Sequence, residues 1–350
     1  MTESSIPPHL RRERRCPRRV ADDFAPPYPS YCARFPTSTR SVAMAYIGVQ
    51  SAGATPEGAL ERIRSELHAE HGPKHWEPAR YVDQRGFTNW IAIAYWSETS
   101  EYQRWINRPA WSTWWTSAAQ GADHCGYFLE TLTPAMEHFE TLYSSAQHVE
   151  GIGRLGTQMS GEVQEHAYWG SARERIPAAQ TDRLAPEGRL SVERDGTRVR
   201  VKLHDQVCVI RSGQDWSEAQ GRERDLYLNT MEPVLRAGMD FLRDTAPAQT
   251  GCYSCRYMNV LDERGNPLEK RFGLAWFRSL EQLERWAESH PTHIDIFGTF
   301  MSIVGELGGQ LATHFWHEVT VARANELTAE YIRCHEDTGL LRAALTASNP

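Results

Sequence analysis

The stretch "WAESHPTHIDIFGTF", Trp286 to Phe300, holds two imidazoles, His290 and His293, on either side of Pro291. Either ring can carry a proton near neutral pH or offer a nitrogen lone pair to a metal. Pro291 disfavours helical geometry at His290, so one helix should stop there and another begin. From His293 onward Ile296, Phe297, Phe300 and Val304 recur at helical spacing. His293 therefore heads an apolar stripe, whereas His290 sits in the joint. Two readings of His293 stay open: a hydrogen-bonded interior histidine, or a neutral imidazole that ligates a haem iron facing an apolar cavity.

Two more histidines stand in "THFWHEVTV". With a period of two, Thr313, Phe315, His317, Val319 and Val321 share one face of a strand, and His314, Trp316, Glu318 and Thr320 the other. His317, bracketed by apolar neighbours, points toward the core; His314 faces outward or toward a covering helix. A buried imidazole is costly without a partner or a task.

The elements around these rings are legible along the chain. "AMAYIGVQ" reads as a strand, then "TPEGALERIRSEL" as a helix with Thr55 as N-cap and Pro56 in its first turn. "ARYVDQRGFTNWIAIAYW" is a hairpin turning near Arg85-Gly86, "SETSEYQRW" a short helix and "HCGYFLETL" a closing strand. The order βαββαβ then recurs: strand "DQVCVIRSG", a helix from Asp215 to Arg243, a hairpin turning at Gly265-Asn266, helix "SLEQLERW", and the strand bearing His317. "WSETSEYQRW" parallels "FRSLEQLERW", each followed by a proline, Pro109 and Pro291. The expected fold class is α+β, two ferredoxin-like βαββαβ repeats forming a barrel-like antiparallel sheet core surrounded by helices. Residues 1–40 are an extended N-terminal arm, 41–145 the first repeat, 146–204 a connecting segment with a hairpin turning at Asp195-Gly196, 205–325 the second repeat, and 326–350 a C-terminal tail.

Composition narrows the function. The 350 residues carry a formal net charge of −7 and are 24% charged, which argues against nucleic acid as a partner. No apolar run approaches the ~20 residues that cross a bilayer. The basic "RRERRCPRR", Arg11 to Arg19, lacks the hydrophobic stretch of a secretory signal and reads as a solvated arm. Seven cysteines, an odd number, fit reduced thiols and a cytoplasmic location better than a disulfide framework. "CYSC", Cys252 to Cys255, is followed by Arg256 where covalent haem attachment needs histidine. "GIGRLG", Gly151 to Gly156, matches a dinucleotide fingerprint, but no buried strand precedes it and no clear helix follows, so it reads as a connection.

Taken together, "ERWAESHPTHIDIF", "CVIRSGQDW", "EHAYWGSARERIP", "GMDFLRD", "GCYS", "HFETLY" and "HEV" resemble the haem-containing aldoxime dehydratases, in the same order from about residue 25 onward. The resemblance implies a non-covalent haem b, ferrous in the active form, and a lyase that dehydrates R–CH=N–OH to a nitrile. It implies His293 as the axial iron ligand and His317 as the distal acid–base residue, with His314 close enough to compete for that role. Ser212 and Arg175 would hold the substrate oxygen, and Glu140 would support the distal site. By the residues alone, Arg175 could equally be a surface cation, Ser212 a strand-end turn residue and Glu140 a solvated helix position. The partner is then a small aldoxime, in a homodimer with no membrane contact. A peroxidase or chlorite-dismutase-like enzyme, and a haem-free ferredoxin-like dimerisation or ligand-binding module, are the competing readings.

Overall fold

The structure is a computed structural model that describes residues 2–21, 23–117, 124–167 and 171–347. Tyr168, Trp169 and Gly170 of the "EHAYWGSARERIP" stretch lie outside the described residues.

The first half contains β1 (Ala33–Arg34), β2 (Ala43–Ala52), α1 (Glu57–Leu67), β3 (His75–Val82), β4 (Phe87–Trp96), α2 (Thr99–Ile106), α3 (Pro109–Ser117), β5 (Gly126–Leu132) and β6 (Phe139–Tyr143). A connection follows with β7 (Gln158–Met159), α4 (Ser171–Arg175), β8 (Ser191–Asp195) and β9 (Arg198–Lys202). The second half runs β10 (Val207–Asp215), α5 (Gly221–Leu226), α6 (Glu232–Asp244), α7 (Pro247–Thr250), β11 (Cys252–Leu261), β12 (Pro267–Phe277), α8 (Leu280–Ser289), α9 (Pro291–Glu306) and β13 (His314–Ala322), and the chain continues through β14 (Leu327–Ile332) and α10 (Leu341–Ala347).

Among the described residues, twelve strands make one antiparallel sheet, ordered β6-β13-β10-β12-β11-β3-β4-β2-β5-β14-β9-β8. Within each half the strand that comes fourth lies beside the first, then the third, then the second: β5-β2-β4-β3 and β13-β10-β12-β11. The sheet curls strongly, because side chains from strands far apart in this order meet. Arg211 on β10 pairs with Glu77 on β3, Tyr95 on β4 donates to Glu318 on β13, and Arg256 on β11 pairs with Glu130 on β5. These charges are buried with their partners, as charges inside a core must be. Around them pack Tyr46, Phe128, Phe272, Trp276 and Tyr331, all nearly inaccessible.

The outer face of the sheet is covered by helices. Trp96, Trp105, Trp111 and Trp115 fill the layer under α1–α3. Cys208, Phe277, Leu283, Trp286 and Val319 fill the layer under α4 and α8. Among the described residues, no helix is long and apolar enough to cross a membrane.

Several sequence expectations shift. Pro56 stands at the cap of α1 in extended backbone, with no side-chain cap, and the helix begins at Glu57. Thr55 instead pairs with the Ser51 hydroxyl at 3.4 Å. Asp215 ends β10 instead of opening a helix; the helix starts at Gly221 and passes through a π turn at Tyr227–Met231. The basic arm is docked, not solvated: Arg15 and Cys16 donate backbone N–H groups to the Gln180 carbonyl, and Ser5 and Ile6 are buried. Residues 327–332, expected in a tail, form a strand between β5 and β9.

Candidate active site

A cavity of about 610 Å³ lies between the outer face of the β6-β13-β10-β12 strip and the helices α6, α8 and α9. That volume is in the range of small-molecule and cofactor sites, ~300–1,000 Å³. Its walls are chiefly apolar, with Leu142 and Ile210 from the sheet and Leu283, Ile296, Phe297 and Phe300 from the helices.

The sheet wall is set by register. Leu142, His317, Ser212 and Gly273 form one cross-strand row over β6, β13, β10 and β12. Row neighbours put their side chains on the same face, and all four line the cavity. Ser212 is mid-strand, not a turn residue. Two residues along, Glu140 on β6 lies opposite Val319 on the same face.

Glu140 and Arg175, both buried, join His317 at this wall. Arg175 donates from Nε to Glu140 Oε2 at 2.7 Å and from Nη2 to Oε1 at 3.1 Å. Its Nη1 donates to the Glu165 carbonyl at 2.8 Å. His317 Nε2 lies 3.0 Å from Glu140 Oε1 and 2.9 Å from Arg175 Nη2. Burial would push the Glu140 carboxyl up, but the charges of Arg175 and His317 and their hydrogen bonds bring it down to about 2. Arg175, expected at the substrate oxygen, thus directs most of its donors to protein acceptors, although it also reaches the cavity wall.

His293 enters from the helix side, in the first turn of α9. Its neighbour His290 is the joint: it ends α8 and caps α9, its ring accepting from the Thr292 backbone N–H. Pro291 in the first turn needs no such partner. His293 packs edge-on against Trp286 with ring centroids 4.5 Å apart and hydrogen-bonds the Ala287 backbone. Burial lowers its basicity to about 4, so near pH 7 it is a neutral imidazole. The ring thereby has what an iron ligand needs: a lone pair, a backbone hydrogen bond that fixes its orientation, and an apolar cavity beside it.

His314 also lines the cavity but has other partners, its ring stacked on His148 with centroids 4.0 Å apart and its Nε2 3.3 Å from Glu218. Glu140 and Arg175 therefore meet His317. Cys252 and Cys255 are buried free thiols, and burial pushes Cys255 up to about 12. A haem in this cavity would be held without covalent attachment, and the residues present fit one.

A model of the haem-containing dehydratases matches residues 45–340. The chain belongs to the haem-containing dehydratase family. It is 41% identical to an aliphatic aldoxime dehydratase of Rhodococcus globerulus, over 99% of this chain and 100% of that one. It is 30% identical to a phenylacetaldoxime dehydratase of Bacillus sp. (strain OxB-1), over 93% and 94%. The fold matches a crystal structure of an aldoxime dehydratase in complex with butyraldoxime, with a TM-score of 0.92 and 40% identity over 97% of this chain and 96% of that one. As a haem-containing dehydratase this is a haem-dependent lyase, which sets aside the peroxidase-like and haem-free readings.

Two features of the site escaped sequence reading. "HFETLY" is a strand, and a period of two along it would have put Glu140 and Leu142 on one face. Ser30 and His166, whose Oγ and Nδ1 are 2.7 Å apart, also line the cavity; they come from segments with no periodicity to read.

Proposed function

We propose that this protein dehydrates aldoximes to nitriles, with His293 as the residue that would hold a haem b and His317 as the acid–base residue on the other wall of the cavity. The observation that carries the reading is His317 Nε2 held between Glu140 and Arg175 on the wall of the cavity that His293 also lines. A ferrous haem held by His293 would supply electron density that weakens the oxime N–O bond.

The residues of this chain handle the protons. An oxime hydroxyl departs poorly as hydroxide and readily as water, so it needs an acid. When protonated, His317 donates from Nε2 to Glu140, a carboxylate that Arg175 keeps ionised. Once the proton has gone to the leaving oxygen, neutral Nε2 accepts from Arg175 Nη2. His317 then takes the proton from the oxime carbon, and R–CH=N–OH has become R–C≡N and water with the imidazolium restored. Each protonation state of Nε2 has a partner ready. Ser212, beside His317 in the same row, orients the hydroxyl by hydrogen bonding. Arg175, fixed on Glu140, adds a permanent positive charge next to the oxygen that gains negative charge.

The two β-α-β-β-α-β halves, 41–145 and 205–325, are read as ferredoxin-like repeats joined by 146–204, a reading their matching strand orders support. Free thiols at all seven cysteines favour a reducing, cytoplasmic compartment. A homodimer completes the reading and is checked by light scattering. The deciding experiment reconstitutes the protein with haem and assays nitrile from butyraldoxime anaerobically, reduced and oxidised. Turnover by the reduced form with little by the ferric form is expected; equal rates would remove the ferrous requirement.

A further inference from the structure

The cavity has two walls, and each functional histidine belongs to one. His317 stands on the sheet, braced by Arg175 of α4. His293 stands on α9, which follows α8 with His290 as the sole joint. Ala287 and Trp286 of α8 bear directly on the His293 ring. Where α8 sits therefore decides where His293 sits.

A buried carboxylate connects α8 to α4. Glu284, 3% exposed, lines the cavity. Arg173 on α4 grips it as a two-pronged fork, with Nε 2.9 Å from Oε1 and Nη2 2.8 Å from Oε2. Arg173 and Arg175 flank Glu174 on the same short helix. The basic arm adds a second layer. Arg19 Nη1 lies 3.2 Å from Glu284 Oε2, its Nη2 lies 2.7 Å from Glu288 Oε2, and its backbone N–H donates to Glu174 Oε1 at 2.8 Å. Arg14 Nη2 lies 2.9 Å from Glu174 Oε2. The arginines at positions 14 and 19 are thus spent on three carboxylates, Glu174 on α4 and Glu284 and Glu288 on α8.

We infer that Glu284 is a positioning residue: gripped by Arg173 and Arg19, it locks the helix leading to His293 against the element carrying Arg175, and so sets the gap in which haem is held. This rests on the haem reading above. A bidentate Arg–carboxylate pair resists shear as well as separation, which a hydrophobic contact in the same place would not. The arm acts as a clasp over that pair, and its positive run has a use that a solvated tail would lack.

The test uses the full-length protein loaded with haem, in wild type and in Glu284→Gln, Arg173→Gln, Arg19→Gln and the exchange Arg173→Glu with Glu284→Arg. Haem transfer to excess apomyoglobin gives the loss rate, and the iron–histidine stretching band of the ferrous form reports strain at His293. Glu284→Gln and Arg173→Gln, each leaving a buried charge or donor set without its partner, should lose haem about tenfold faster and shift the band. Arg19→Gln, which leaves the Arg173 pair intact, should fold normally and lose haem about threefold faster. Because the exchange sets two guanidiniums together at Arg19, it should restore part of the retention alone and most of it when combined with Arg19→Gln, which a purely space-filling role would not allow. Lys202→Gln, at an exposed pair on the β8–β9 hairpin, should match wild type. Wild-type loss rates and band positions in all the clasp variants would overturn the positioning role while the haem reading stands. A wild-type chain that takes up no haem would overturn both.

Discussion

Ser212 and His317 are direct cross-strand partners on β10 and β13, with both side chains on the face that lines the cavity. The sheet itself therefore sets their separation, at the spacing of neighbouring antiparallel residues. A hydroxyl and an imidazole fixed side by side can address one oxygen together.

The two histidines should separate haem binding from chemistry. His293→Ala is expected to abolish the Soret band after reconstitution while leaving the far-ultraviolet circular dichroism intact. His317→Ala should keep the band and lose about 10²–10⁴ in kcat. Substantial dehydration by His317→Ala would move the acid–base role to His314.

Ser212→Ala removes a single donor from the cavity wall and should lower kcat by about 10²–10³, with a smaller change in KM. A change in KM alone would make Ser212 a binding contact with no share in the transition state.

Glu140→Gln takes the counter-charge from Arg175 and from the protonated imidazole at once. It should lower kcat by more than about tenfold with haem retained, and Glu140→Asp should recover part of the rate. An unchanged kcat would reduce Glu140 to a structural partner of Arg175.

Stability should fall on mild acidification. Burial holds His293, His166 and His75 down to about 4, against an ordinary value of 6.5. Between those values the unfolded chain binds more protons than the folded one, so this contribution is whole above pH 6.5 and lost as pH drops toward 4. Glu140, held at about 2, adds a further loss as pH falls below its ordinary 4.5. The urea midpoint of the apoprotein should therefore be lower at pH 4.5 than at pH 7.5. A flat midpoint over that range would show these rings are not buried neutral.

Local pattern was enough for much of this. The helical stripe after Pro291, the alternation through "THFWHEVTV" and the hairpin glycines at 86, 196 and 265 specify elements through nearest-neighbour geometry, and the elements stand where those signals put them. The same alternation already put His317 and Val319 on one face and His314 on the other. Those are consequences of two fixed periods, 3.6 and 2, acting over a few residues.

What only the tertiary structure decided is which residues meet. Glu140, Arg175 and His317 lie 35 and 142 residues apart along the chain, and no local period can register a salt bridge across such distances. The placement of Ser212 beside His317 depends on strand pairing between β10 and β13, separated by a hairpin and five helices. The docking of Arg14 and Arg19 onto Glu174 and Glu284 came from charge complementarity formed only after the walls had assembled. A run of arginines carries no address of its own, because Coulomb attraction is set by distances in space and a sequence lists only distances along the chain.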